Sequence, residues 1–178
     1  MKKVVIYLVL TFALFGCFGD PVESSFKESV TKYFNALQDK NWEKAVSYLF
    51  QAKIIALGGM EGAVQTMETA MAPLTIKSWS LGKVQVVHDH DDIYLGVANI
   101  TLESERKNQI NGKTYQLKIE TGVIGHTDNK GKTWHFIGVT QAERNILGTI
   151  APDIFQTLDI PKENLFIKEN GKWEPFKM

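Results

Sequence analysis

The hydrophobic period of the chain changes at Pro73. Before it, Phe26, Val30, Tyr33, Phe34 and Leu37 fall three and four apart, one stripe of an α-helix. Asp20-Pro21-Val22-Glu23 supplies the start: Asp as N-cap, Pro in the first turn, Glu at the capping-box position. After the polar break Gln38-Asp39-Lys40-Asn41, the residues Trp42, Ala45, Val46, Leu49 and Phe50 continue the period. That predicts a second helix hairpinned on the first. Gln51 to Leu57 is ambiguous, and Ile54-Ile55 could open a short strand. Gly58-Gly59 breaks it. Met60 to Met71 reads as a third helix, with Ala63, Val64, Met67 and Met71 inward and Pro73 as the stop.

Beyond Pro73 the period is two. Ile76–Val87 predicts a strand, and His88-Asp89-His90-Asp91-Asp92 a polar turn. Ile93–Glu105 is a long strand, apolar on both faces near Tyr94 to Ile100 and therefore central. Asn111-Gly112 marks the next turn. Thr114–Gly125 alternates Tyr115, Leu117, Ile119 and Val123 inward against Gln116, Lys118 and Glu120 outward. Asp128-Asn129-Lys130-Gly131 turns into a fourth strand, Thr133–Gln141. Short turns between four strands predict an antiparallel meander. In the remainder, Pro152 starts a short helix through Ile154, Phe155 and Leu158. Leu165–Lys168 and Trp173–Phe176 flank the hairpin signal Asn170-Gly171. Residues 142–178 are too few for a core of their own and read as an extension packed on the same domain.

The first residues differ from the rest. Met1-Lys2-Lys3 is cationic, and Val4 to Phe15 is an apolar run too short to span a bilayer but suited to a signal peptide. It ends in Leu14-Phe15-Gly16-Cys17. This resembles the lipobox of bacterial lipoproteins, with Phe15 where a small or β-branched residue is usual. The resemblance implies a signal peptide over 1–16, a lipid-bearing Cys17 acylated by chains such as palmitate, and a short tether over 17–21. Two or more chains hold a protein on a membrane where one does not. Phe18 rather than Asp follows the Cys, which in a Gram-negative source implies the outer membrane.

Charge narrows the function. Lys plus Arg number 20 and Asp plus Glu 20, so no basic excess favours nucleic acid. A single Cys permits no internal disulfide.

Four segments carry a further resemblance. They are Val30-Thr31-Lys32-Tyr33-Phe34-Asn35-Ala36-Leu37, Trp42-Glu43-Lys44-Ala45-Val46-Ser47-Tyr48-Leu49, Leu57-Gly58-Gly59-Met60-Glu61-Gly62-Ala63-Val64, and the turn into Trp134-His135-Phe136-Ile137. Their order is similar to the nuclear-transport-factor-2-like superfamily, which includes SnoaL-like enzymes and ketosteroid isomerase. The resemblance covers residues 22–141. It implies an α+β fold: a cone-shaped, curved antiparallel sheet packed on two to three N-terminal helices, often with a pocket in the wide end. Such a fold serves enzymes and binders alike.

The resemblance places Tyr33 where ketosteroid isomerases carry a Tyr that steadies an enolate oxygen. Their carboxylate base follows the second helix, but Gln51-Ala52-Lys53-Ile54-Ile55-Ala56-Leu57-Gly58 contains no Asp or Glu. No catalytic residue is assigned. His88 and His90 could share a metal, yet two His beside Asp residues also describe a solvated turn, and no metal or cofactor is expected. His135 reads as a sheet-face residue. No Gly-x-Ser-x-Gly occurs, and Gly58-Gly59 lacks the Lys-Ser/Thr of a phosphate loop. Trp79, Tyr94, Tyr115, Trp134 and Phe136 are the aromatic positions expected on the sheet's inner face, with Tyr33 of the first helix as a core or pocket-wall residue beside them. There they fill the core or line an apolar pocket.

The expectation is a non-catalytic, lipid-anchored cell-envelope protein. Its partner is the membrane, through Cys17, together with a small apolar ligand in the cone or another envelope protein. A homodimer fits too. The alternatives are an isomerase- or dehydratase-type pocket enzyme using Tyr33, and an immunity-type protein that binds a toxin.

Overall fold

The computed structural model describes residues 20–108, 110–150 and 152–176. The expected signal peptide and the lipobox-like segment with Cys17 lie outside them. The fold is α+β: N-terminal helices packed on a six-stranded antiparallel sheet.

Helix α1 (Pro21–Gln38) begins where Asp20 accepts from the Val22 amide at 2.8 Å. Its stripe buries Phe26, Val30, Phe34 and Leu37. Glu23 does not close the capping box; it pairs with Lys27 one turn on. Helix α2 (Trp42–Val46) is capped by Asn41 and is shorter than the apolar period predicts. The chain leaves it to run Leu49 alongside Phe136 as a single parallel bridge. The ambiguous segment is helix α3 (Gln51–Ala56), with Ile54 buried and Ile55 exposed rather than opening a strand. Helix α4 (Gly59–Met71) follows Gly58 in the left-handed region at φ +90°. Val46, Leu49, Ile54 and Ala63 form a small core between α2, α3 and α4, with Tyr33 and Met67 joining it to the main one.

The strands are β1 (Leu74–His90), β2 (Ile93–Lys107), β3 (Thr114–Thr127), β4 (His135–Gly138), β5 (Asn164–Glu169) and β6 (Lys172–Pro175). Their order is β1-β2-β3-β5-β6, with β4 sharing the β5 edge of β3. β5 pairs Leu117–Glu120 and β4 pairs Val123–His126. Three register shifts along β1 bulge the edge strand, which bends it.

The fourth strand is shorter than its sequence pattern predicts, and helix α5 (Gln141–Ile150) replaces its end. The reason is Thr140-Gln141-Ala142-Glu143. Thr140 Oγ1 donates to Glu143 Oε2 at 2.8 Å, and the Glu143 amide donates back to Thr140 Oγ1 at 3.3 Å. This reciprocal capping box satisfies amides that a helix start leaves open. Helix α6 (Ile154–Thr157) follows. The Asn170-Gly171 turn holds both residues at positive φ, +49° and +79°, the mirror-image turn that matches strand twist.

Both faces of the sheet are covered. Ala98, Ile100 and Val123 face α1; Val97 and Ile124 face Leu147, Ile154 and Leu158. That double covering explains the run of apolar residues along β2. Residues after 141 thus pack on the same sheet, α5 and α6 against its back and β5 along its edge.

Candidate functional site

Strand register arranges the inner face in cross-strand rows. One row is Ile76, Ser104, Leu117, Ile167 and Glu174; the next is Trp79, Leu102, Ile119 and Leu165. Toward the other end come Val84, Ala98, Val123 and Gly138, then Val86, Gly96, Gly125 and Phe136. Helix α1 crosses these rows. Phe26 lies over Gly96 and Gly125, where an added Cβ would stand 2.7 and 2.6 Å from its ring. At the other end Gln38 donates to the Lys77 carbonyl on β1 at 3.1 Å. Under Phe26 the face is filled. Beyond the reach of α1 it is open.

The six aromatic positions divide along this axis. Trp134 is 1% exposed and Phe136 0%; Phe26 packs on both, with ring centres 4.7 and 5.9 Å away. Tyr94 packs against His88 with tilted rings, centres 4.8 Å apart. Trp79 packs on Phe34 at 5.4 Å and donates from Nε1 to Asn35 Oδ1 at 3.2 Å. Tyr33 lies 5.5 Å from Phe136 and 6.2 Å from Tyr48, ring centre to ring centre. These five pack within the main aromatic and aliphatic core. Tyr115 alone stands at the open end, beside a groove.

The groove has two adjoining lobes, of about 680 and about 700 Å³. Pro73, Arg106, Leu117, Leu165 and Phe176 line both. Ala70, Leu74 and Ile119 join them in the first, and Tyr115, Ile110 and Ile167 in the second. The inner rows of the lining are aliphatic, with Phe176, Arg106 and further polar side chains among the rest. The C-terminal hairpin β5–β6 makes one wall, so the groove does not exist without it. Sequence reading missed this lining because Leu165, Ile167 and Phe176 are local strand pattern until β5 pairs with β3. Their alternation gave a face, but nothing gave the neighbour.

A second cluster surrounds Tyr33. Lys53 Nζ lies 2.5 Å from Glu143 Oε1, across helices α3 and α5. Glu143 is largely buried, and its other oxygen accepts from the Thr140 hydroxyl and amide. Gly138 makes room: a Cβ there would stand 2.6 Å from Glu143 Oε2. Burial pushes the Glu143 carboxyl up, but the Lys53 and Thr140 bonds outweigh it and hold the group below the usual carboxylate range. Tyr33 shows part of its surface to solvent, yet burial first and the Glu143 charge second push its hydroxyl above the usual phenol range. Tyr33 therefore stays a neutral phenol. An ionisable neighbour of Tyr33 does exist, supplied by α5 rather than by the stretch after α2. Thr-x-x-Glu at 140–143 was the signal that could have found it. Both its oxygens are already bonded.

His88 Nε2 stands 2.8 Å from the Asp91 carbonyl, and His90 Nδ1 2.8 Å from Asp89. A register shift separates the two histidines, so they do not present one face. His135 pairs in register with His126 on the face away from α1. Among the described residues no three His, Cys, Asp or Glu side chains cluster as a metal site, and no helix is long and apolar enough to cross a bilayer.

No family model matches the chain, and no curated protein matches it. Among solved structures, it is similar to a ketosteroid isomerase-like protein from Erwinia carotovora atroseptica SCRI1043, with 7% identity and a TM-score of 0.47. The match covers 68% of this chain and 99% of that one. At that level the likeness carries no argument about ligand or activity.

Proposed function

We propose that this chain is a lipid-anchored cell-envelope protein that binds a small apolar ligand and does not catalyse its conversion. The domain is read as a nuclear-transport-factor-2-like cone whose wide end is the binding site. One observation carries the binding role: the two-lobed groove with an apolar inner lining at the open end of the sheet, walled by β5–β6. Such concave apolar sites with a few polar groups at the edge suit small molecules. The absence of catalysis is supported by the Tyr33 cluster. Its carboxylate is spent on a helix cap and an ion pair, and so is not free to take a substrate proton. The anchor rests on Leu14-Phe15-Gly16-Cys17.

Native mass spectrometry of the protein recovered from its own envelope tests the reading. The expected result is extra mass of one small molecule that leaves on denaturation. A bare polypeptide would turn the reading toward a protein partner. That second reading has its own observation. Ile55 and Met60, flanking the Gly58-Gly59 turn, are 66% and 49% exposed, and exposed apolar side chains mark contact surfaces when they are contiguous.

A further inference from the structure

The two lobes meet at a residue that the apolar-ligand reading does not use. Arg106 lines both. It pairs across strands with Leu74 on one side and Tyr115 on the other, so these three form the outermost row of the inner face. Among the described residues no carboxylate pairs with its guanidinium. The neighbouring Glu105 is held by Lys77 at 2.8 Å. Tyr115, beside Arg106, accepts from Asn111 Nδ2 at 3.4 Å and keeps its own proton to donate. One row further in stands Ser104, 2% exposed, whose hydroxyl has no partner among the described residues. Leu117 and Ile167 share its row, and Ile119 and Leu165 follow in the next.

The charges around the groove are not uniform. Lys107 and Glu169 line the second lobe, and Glu163 the first. Glu163 and Glu169 flank β5 at opposite ends, roughly 20 Å apart at the strand rise, and each touches only one lobe. Arg106 is the charge common to both. A polar row at the mouth followed by aliphatic rows inward is the negative image of a molecule with one anionic head and a flexible hydrocarbon tail. Aliphatic side chains line the inner rows and Phe176 the edge of both lobes, and a guanidinium grips a carboxylate with paired N–H donors.

We propose that the groove takes a long-chain carboxylate, its head on Arg106 and the Tyr115 hydroxyl and its tail over Leu117, Ile119 and Leu165. This rests on the apolar-ligand reading and adds the class of ligand. The test is calorimetric titration of the purified protein, in detergent-free buffer, with dodecanoate and with its methyl ester. The acid is expected to bind at least about tenfold more tightly than the ester. Arg106→Gln should erase that difference while leaving the far-ultraviolet spectrum unchanged, since Arg106 is exposed. Tyr115→Phe should narrow the difference. Equal binding of acid and ester by the wild type would overturn the head-group assignment and leave the apolar groove standing. Binding of neither would overturn both.

Discussion

Gly96 and Gly125 are register partners on β2 and β3, and together they make the seat for the ring of Phe26. Neither has a positive φ. Both are glycine because of what lies above them: an added methyl at Gly125 would meet Phe26 at 2.6 Å and Phe136 at 2.9 Å. These rings are fully buried and edge-packed, so they cannot swing aside. Gly125→Ala is expected to cost about 1–3 kcal/mol, the range for overpacking a filled core. Combined with Phe26→Leu, whose smaller side chain yields space, it should cost less than the two changes summed. Urea unfolding of the three variants measures this. Simple additivity would mean that the ring is not what excludes the methyl.

The Lys53–Glu143 pair fixes helix α3 to the start of α5, and its contribution should depend on pH. Glu143 titrates below its ordinary value of 4.5 in the folded chain. A depressed carboxylate gives stability that is complete above the unfolded value and is lost as pH falls through the folded one. Glu143→Gln should therefore cost on the order of 1 kcal/mol at pH 7, discounted because Lys53 is 35% exposed. At pH 3, below its ordinary value, the cost should be smaller. Urea midpoints at the two pH values decide it. An equal loss at both would assign the effect to packing rather than to charge.

Thr127 organises the turn that holds the start of α1. It is fully buried. Its hydroxyl donates to Asn129 Oδ1 at 2.8 Å and accepts from the Gly131 amide at 3.3 Å. The Gly131 carbonyl in turn accepts from Ser25 on α1. Thr127→Val keeps the shape and removes the hydroxyl, leaving the Gly131 amide buried without its acceptor. The expected cost is about 1–3 kcal/mol. Hydrogen exchange should quicken at Gly131 and in the first turn of α1 before it does elsewhere. A uniform change along the chain would sink this local account.

Much of this architecture was legible because it follows local period. The stripe Phe26, Val30, Phe34, Leu37 and the alternation of Tyr115, Leu117 and Ile119 each specify an element and its buried side with no knowledge of the rest. The two-faced run through Val97 and Ala98 also gave the central place of β2. The groove was not legible, since it depends on β5 joining β3 beside β4, a pairing between segments more than 40 positions apart. The aromatic residues misdirect in the same way. Trp134 and Phe136 sit on the inner face, but whether that face is open depends on where α1 ends. Glu143 was hidden for a different reason: a period-two reading carried through Thr140 and passed over the capping box there.

The proposed anchor would have a geometric consequence. Only Phe18 and Gly19 separate Cys17 from Asp20, so a lipid on Cys17 would hold the α1 start within roughly 10 Å of the bilayer. The α1 start lies at the Thr127 end of β3, where Ser25 meets Gly131. The groove lies at the other end, near Tyr115, and the fourteen residues of β3 span roughly 40 Å between them. A chain anchored at Cys17 should therefore open the groove away from that membrane, so that the proposed ligand would enter from the aqueous side. Cys17→Ser should move the chain from the membrane fraction to the soluble one and remove the acyl mass. In the anchored protein, a photoreactive side chain placed at Val22 should label lipid and one placed at Phe176 should not. Unchanged fractionation of Cys17→Ser would remove the anchor. Equal lipid labelling from both positions would keep the anchor but reverse the orientation, laying the groove mouth on the bilayer.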